Sequence, residues 1–274
     1  MSMDKKILSR DGTRIAYEST GRGPAVVLVS GAMSTGGTLA PLAVSLSERF
    51  QAVVYDRRGR GASADTAPYA VEREVEDLAA VIEAVGGEAH LYGISSGGAL
   101  ALEAAASGLP VRRVAVYETP FAMSEEGAKE RAQYTERLTE ALGEGRRGDA
   151  VELFLRLTGL AEGVIQGARQ SPMWAGMEAM ASSLAYDDAV MRDGRVPRSR
   201  LGSVGVPVLA VAGDASPAWL REAARAIADT VPVGAYRTLQ GQTHMVEPIV
   251  LYDGTRVVGS ATIASTVRRE AATA

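Results

Sequence analysis

His90-Leu-Tyr-Gly-Ile-Ser-Ser-Gly-Gly-Ala-Leu-Ala-Leu-Glu-Ala-Ala-Ala106 reads as a strand that turns into a helix at Ser95, with no loop between. A bend that sharp forces its central residue into a strained backbone conformation, and small residues on either side let strand and helix approach. Gly93 and Gly97 stand two before and two after Ser95, in the pattern G-x-S-x-G. Ser95 is thus expected at the carboxyl edge of a sheet with its hydroxyl projecting. The N-H of Ser96, in the first turn of the following helix, is expected to lack an intrahelical partner and to be available to a developing oxyanion.

A serine hydroxyl needs a base to become a nucleophile near neutral pH, and histidine has a suitable pKa. The chain has two histidines. His244 follows the strand-like Gly234-Ala-Tyr-Arg-Thr-Leu239 in a loop, where an imidazole can be lowered onto Ser95. His90 opens the strand leading to Ser95, at its far end, and is read as structural. Two carboxylates compete to orient His244, both in the chain order serine, acid, histidine. Glu118 ends Val114-Ala-Val-Tyr-Glu118, and Asp214 follows Val206-Pro-Val-Leu-Ala-Val-Ala-Gly213. Either can accept the imidazole N-H.

Working outward, apolar runs near 25–30, 52–56, 90–95, 113–118, 206–213 and 234–239 alternate with helical patterns near 39–48, 71–85, 97–107 and 217–229. That alternation predicts an α/β fold, a mostly parallel sheet with helices on both faces. Residues 5–18 read as an opening hairpin turning at Asp11-Gly12. Between the sixth and seventh strands, at about 121–204, the pattern becomes helical throughout: Glu125 to Glu144, Asp149 to Leu160, and a Met-rich run around Met173-Trp174-Ala-Gly-Met177-Glu-Ala-Met180. The expected organisation is a core of 1–120 and 205–274 with a helical cap of 121–204 inserted over Ser95. Trp174 and Met177, with Met33 from the loop after the third strand, are candidate substrate contacts. Methionine adapts its shape to apolar ligands. Packing of the cap onto the core is an equally good use of Trp174 and the methionines.

These residues resemble the α/β-hydrolase family over about residues 10 to 248. Ser30-Gly31-Ala32-Met33 is similar to the family's His-Gly oxyanion loop, with serine in place of histidine, and Tyr55-Asp56-Arg57-Arg58-Gly59-Arg60-Gly61-Ala62-Ser63 to its Asp-x-Arg-Gly-x-Gly-x-Ser signature. The resemblance implies an oxyanion hole from the N-H groups of Ala32 and Ser96, and arginines at 57 and 58 that brace loops. The family commonly carries its acid three residues after the glycine ending the seventh strand, which here is Ser216. Some members, haloalkane dehalogenases among them, carry a glutamate at the end of the sixth strand. The resemblance thus favours Glu118, with Asp214 the alternative. It implies a serine hydrolase of a carboxylic ester, lactone or thioester, with no cofactor. Dehalogenases and epoxide hydrolases of the family carry aspartate at the position of Ser95 and are disfavoured. A cofactor-free perhydrolase or C-C bond hydrolase, a biosynthetic cyclase and a ligand-binding homologue without catalysis are the other classes open to such a chain.

Composition narrows the partners. A chain of 274 residues with 46% hydrophobic content can bury a large core. A net charge of -4 without a basic face argues against nucleic acid. The absence of cysteine excludes disulfides and thiolate catalysis, and two distant histidines argue against zinc. No run reaches the ~18 apolar residues of a membrane span, and the N-terminus lacks an apolar leader pattern. The expectation is a cytoplasmic enzyme acting on a small apolar ester or lactone. After His244, Ile249-Val-Leu-Tyr252 and Thr255-Arg-Val-Val258 flank Asp253-Gly254 as in a hairpin, and 262–272 reads as a short helix. The α/β-hydrolase resemblance implies a long closing helix there instead. A homodimer contact is one use for such a tail.

Overall fold

The computed structural model describes residues 3–245. The tail hairpin and helix expected beyond His244 lie outside those residues. The chain opens with a hairpin of β1 (Lys5–Leu8) and β2 (Arg14–Thr20). The Asp11 carboxylate accepts the Thr13 N-H and Gly12 takes a positive φ, as the Asp-Gly turn requires. Then follow β3 (Ala25–Val29), α1 (Ala40–Leu46), β4 (Gln51–Tyr55), α2 (Val71–Ala84), β5 (Ala89–Ile94), α3 (Ser96–Ala106) and β6 (Val111–Tyr117). Six helices come next: α4 (Glu125–Gly143), α5 (Arg147–Leu157), α6 (Glu162–Arg169), α7 (Trp174–Met180), α8 (Leu184–Met191) and α9 (Arg198–Leu201). The chain returns to the sheet with β7 (Val208–Gly213), α10 (Ala218–Thr230) and β8 (Gly234–Leu239).

The eight strands lie in the order β1-β2-β4-β3-β5-β6-β7-β8. Only β1–β2 and β2–β4 pair antiparallel, and every pairing from β4 through β8 is parallel. A parallel sheet must be covered on both faces, which is why β3 and β7 are buried at every position. Alternate residues serve the two faces. Val27, Val29, Leu91, Val116 and Ala210 pack with the apolar sides of α2, α3 and α10. Val26, Leu28, Ala52, Val54 and Leu209 share a second apolar cluster with Leu42 and Leu46 of α1.

The helical segment between β6 and β7 has an interior of its own, formed by Tyr134, Leu138, Val151, Ile165, Trp174 and Leu184. It leaves and rejoins the sheet at neighbouring points, where Ala122 and Arg195 form a parallel bridge. Helix α8 joins the two cores: Leu184 lies in the segment's interior, while Val190 and Met191 pack into the sheet's helical layer. The boundaries expected for the first two helices, 125–144 and 149–160, fall within a few residues of α4 and α5. Helices α6, α8 and α9 had no individual prediction. Among the described residues, no helix is long and apolar enough to cross a membrane.

Candidate active site

Ser95 follows β5 directly and precedes α3, with φ 55° and ψ -130°. Glycine at the flanking positions is a steric requirement. A Cβ on Gly93 would overlap the carbonyl of Gly97, and one on Gly97 would overlap the carbonyls of Val29 and Ser30. The loop after β3 therefore lies against the bend: a Cβ on Gly31 would come within 3.0 Å of the Ser95 Cβ. Ala32 and Met33, next along that loop, are half-buried and pack against the interior of the helical segment.

Glu118 stands one residue past β6 rather than inside it. In the parallel register Ile94 is opposite Tyr117, so Ser95 and Glu118 extend adjacent strand ends. The two ends are tied: the Ser95 N-H donates to the Tyr117 carbonyl at 2.9 Å, and the Glu118 N-H to the Val211 carbonyl of β7 at 2.9 Å. Glu118 takes φ 46°, a value costly for a residue with a side chain. Its carboxyl group is fully buried. Oε1 accepts the Gly213 N-H at 2.8 Å, and Oε2 lies 2.8 Å from His244 Nδ1.

His244 reaches Glu118 because the loop carrying it is tied to the ends of β6 and β7. The Tyr117 hydroxyl donates to the Thr243 carbonyl at 2.6 Å, and the Ala215 N-H to the Gln242 carbonyl at 3.1 Å. Gly213 must lack a side chain, since a Cβ there would overlap the Gln242 carbonyl. The imidazole is 38% exposed and meets the carboxylate through Nδ1. Asp214, the competing acid, is exposed and uses Oδ1 to accept the Gly241 N-H at 2.6 Å. It holds the loop's backbone, while Glu118 meets its imidazole. Ser216 is buried, and its hydroxyl has no partner among the described residues.

Behind the bend lies a buried ionic network. Arg57, Arg58 and Arg60 are all at most 1% exposed. Arg58 pairs with Asp77 and Asp11. Arg57 forks onto both oxygens of Glu74 at 2.6 Å and reaches Asp187 of α8 at 2.7 Å. Arg60 meets the other Asp187 oxygen at 2.6 Å. Burial alone would raise the Asp187 pKa, but the Arg60 and Arg57 guanidiniums outweigh it and hold the carboxyl below its ordinary value. The Ser96 hydroxyl donates to Asp187 Oδ1 at 2.8 Å. Nearby, the rings of Tyr69 and Tyr186 stack at 3.9 Å, fastening α8 to the loop before α2. Asp56, which begins this arginine-rich stretch, accepts the N-H groups of Gly36 and Ala62, both at 2.8 Å. The stretch braces the site.

The substrate contacts expected in the helical segment fall in different places. Trp174 is buried in the segment's interior, beside Gly148 and under the Arg169 guanidinium. Met177 and Met33 are half-buried at the margin of the same cluster, and Met173 is exposed. His90 is buried at the opposite end of β5, edge-on to Phe50. Sequence reasoning missed Asp187. The available signal was the pair Asp187-Asp188 inside the otherwise apolar run Leu184 to Met191, since two acids in a buried helix need cationic partners.

A sequence model of the alpha/beta hydrolase family matches residues 26–256. The crystal structure of an alpha/beta hydrolase from Sphaerobacter thermophilus is 49% identical, with a TM-score of 0.82 over 91% of this chain and 97% of that one. The enol-lactonase from Burkholderia xenovorans superposes with a TM-score of 0.63 over 96% of this chain and 100% of that one, at 21% identity, a likeness of fold alone. A pimeloyl-[acyl-carrier protein] methyl ester esterase from Xanthomonas campestris is 40% identical over 97 residues, 35% of this chain and 37% of that protein. A polyketide synthase from Burkholderia thailandensis is matched over 5% of its length, so the chain spans well under half of either curated relative.

Proposed function

This chain belongs to the alpha/beta hydrolase family, and we propose that it hydrolyses a carboxylic ester, lactone or thioester with Ser95 as nucleophile, His244 as base and Glu118 as the orienting acid. The observation that carries the reading is the 2.8 Å contact between Glu118 Oε2 and His244 Nδ1, one strand end away from the Ser95 bend. With Nδ1-H held by the carboxylate, Nε2 is the nitrogen left to accept the Ser95 proton.

Ser95 Oγ attacks the substrate carbonyl carbon as its proton passes to His244 Nε2. The resulting oxyanion is held by the N-H groups of Ala32 and Ser96, and Glu118 stabilises the imidazolium. Collapse of the tetrahedral adduct expels the alcohol or thiol, which takes the proton from His244. Water, deprotonated by the same imidazole, then attacks the acyl-Ser95 ester and releases the acid. The helical segment covers the site as a cap, and Met33 and Met177 line the acyl side with adaptable apolar surface. The name of a methyl ester esterase among similar proteins favours an ester over an amide.

A fluorophosphonate probe, followed by peptide mapping, and a panel of p-nitrophenyl esters of graded chain length test the reading together. Ser95 should be labelled in the folded chain. Ser95→Ala and His244→Ala should each abolish ester turnover with little change in thermal unfolding. A folded chain that resists the probe and hydrolyses none of the esters would instead be a ligand-binding member of the family.

A further inference from the structure

The network behind the bend contains one carboxylate contributed by the helical segment, and its contacts run to both proposed oxyanion donors. Arg60 Nη1 donates to the Gly31 carbonyl at 2.6 Å, and its Nη2 to Asp187 Oδ2 at 2.6 Å. Arg57 Nη1 reaches the Ser30 carbonyl at 3.3 Å and Asp187 Oδ1 at 2.7 Å. A trans peptide is planar, with its C=O and N-H pointing in opposite directions. A guanidinium that fixes the Gly31 carbonyl therefore fixes the direction of the Ala32 N-H. The second donor belongs to Ser96, whose hydroxyl binds the same carboxylate at 2.8 Å.

We propose that Asp187 is a positioning residue that aligns both oxyanion donors, the Ala32 N-H through Arg60 and the Ser96 N-H through the Ser96 hydroxyl. This inference rests on the serine-hydrolase reading. Arg60 has no other carboxylate partner among the described residues, and its buried Nε has none at all. The remaining Arg60 partners are backbone carbonyls, Gly31 and, at 3.3 Å, Ser34, so Asp187 is the one charged anchor of that guanidinium among the described residues. Arg57 is different: it keeps its two bonds to Glu74 whatever Asp187 does. Because Asp187 lies on α8, between the interior of the helical segment and that of the sheet, the alignment of the donors is tied to the seating of the segment itself. A donor strengthened by a charged partner on the other side of its peptide is also a better donor.

Asp187→Asn removes the charge, and Ser96→Ala removes only the hydroxyl and leaves every arginine pair intact. Each variant is titrated with a fluorophosphonate to count functional sites, then assayed with p-nitrophenyl butyrate and with a trifluoromethyl ketone that mimics the tetrahedral adduct. Outright loss of an oxyanion donor costs about 100- to 1000-fold in kcat. Misalignment should lower kcat per titrated site by about 10- to 100-fold, leave KM within about threefold, and weaken the ketone in proportion to kcat. A purely structural Asp187 would lower the melting temperature and the number of titrated sites without changing kcat per site or ketone affinity. That result in the folded variants overturns the inference. Should Asp187→Asn fail to fold, Ser96→Ala decides alone: kcat and ketone affinity within twofold of the parent chain refute the alignment. Failure of the parent chain to label at Ser95 overturns the serine-hydrolase reading and this inference with it.

Discussion

The chain's two histidines sit at opposite ends of the strands of one sheet, in opposite surroundings. His244, beyond β8, is partly exposed and has a buried carboxylate on Nδ1. His90, at the start of β5, is 2% exposed and edge-on to Phe50, and its Nδ1 has no partner among the described residues. Burial first, then Arg113 and Arg112, pull its pKa down to about 4 against a smaller opposing pull from Glu88. The fold thus gives one imidazole a fixed, buried anion and leaves it partly exposed. It silences the other by burying it near cations. Carboxyl-edge loops can be shaped around a reaction, while the amino edge is free to serve packing.

The comparison can be broken most severely at Glu118. Glu118→Gln keeps an acceptor for the Gly213 N-H but leaves His244, like His90, without a carboxylate. Its kcat on an activated ester should drop by roughly 1,000- to 10,000-fold, as when an imidazole loses the group fixing its tautomer. A melting curve close to that of the parent would show that the loss is chemical.

His90 sharpens the contrast through pH. Folded, it stays neutral down to about pH 4, while in the unfolded chain it protonates near pH 6.5. Between those values the unfolded state binds the extra proton, so stability falls as pH drops through the window and the contribution is constant below it. The window corresponds to about 3 kcal/mol. Denaturant titrations of His90→Gln from pH 4 to 7 should give a curve flatter than the parent's by that amount, and parallel curves would refute the assignment.

A smaller effect is expected from Gly213→Ala, which forces the new methyl against the Gln242 carbonyl. Overpacking of this kind costs about 1–3 kcal/mol. Since the displaced strand of loop carries His244, ester turnover should fall even well below the melting midpoint. Smallest of all is Asp214→Asn, with kcat within about twofold and stability reduced by about 0.5–1.5 kcal/mol through the weakened Gly241 contact. If turnover collapses in Asp214→Asn instead of in Glu118→Gln, the acid role belongs to the β7 loop and the reading of His244 must be redrawn.

Much of this architecture was legible in the residues because its signals are local. The fully buried strands are unbroken apolar runs, and the Ser95 bend is marked by glycines that the backbone crossing demands. The acid was not settled in that way. Glu118 and Asp214 end neighbouring strands, and the difference between them is a backbone torsion and a Gly213 N-H brought in from another strand, neither of which has a sequence period. The arginines at 57, 58 and 60 follow a strand in polar-looking sequence, yet they are buried because Glu74, Asp77 and Asp187 arrive from positions 17 to 130 residues away. Asp187 was marked only by its acidic neighbour Asp188, because a helix such as α8 that faces both the helical segment's interior and a sheet layer shows no single apolar stripe.

Met33, Ser95 and Glu118 are three of the four non-glycine residues with positive φ among the described residues. Conformations of that sort cost about 1–3 kcal/mol each and would relax with glycine in place. A thermostabilisation campaign scored on melting temperature alone would therefore be drawn to these three positions, and at two of them it would delete the proposed nucleophile and its acid. Resistance to heat and capacity for chemistry compete here at the level of single torsion angles, so engineering for robustness belongs elsewhere in the chain.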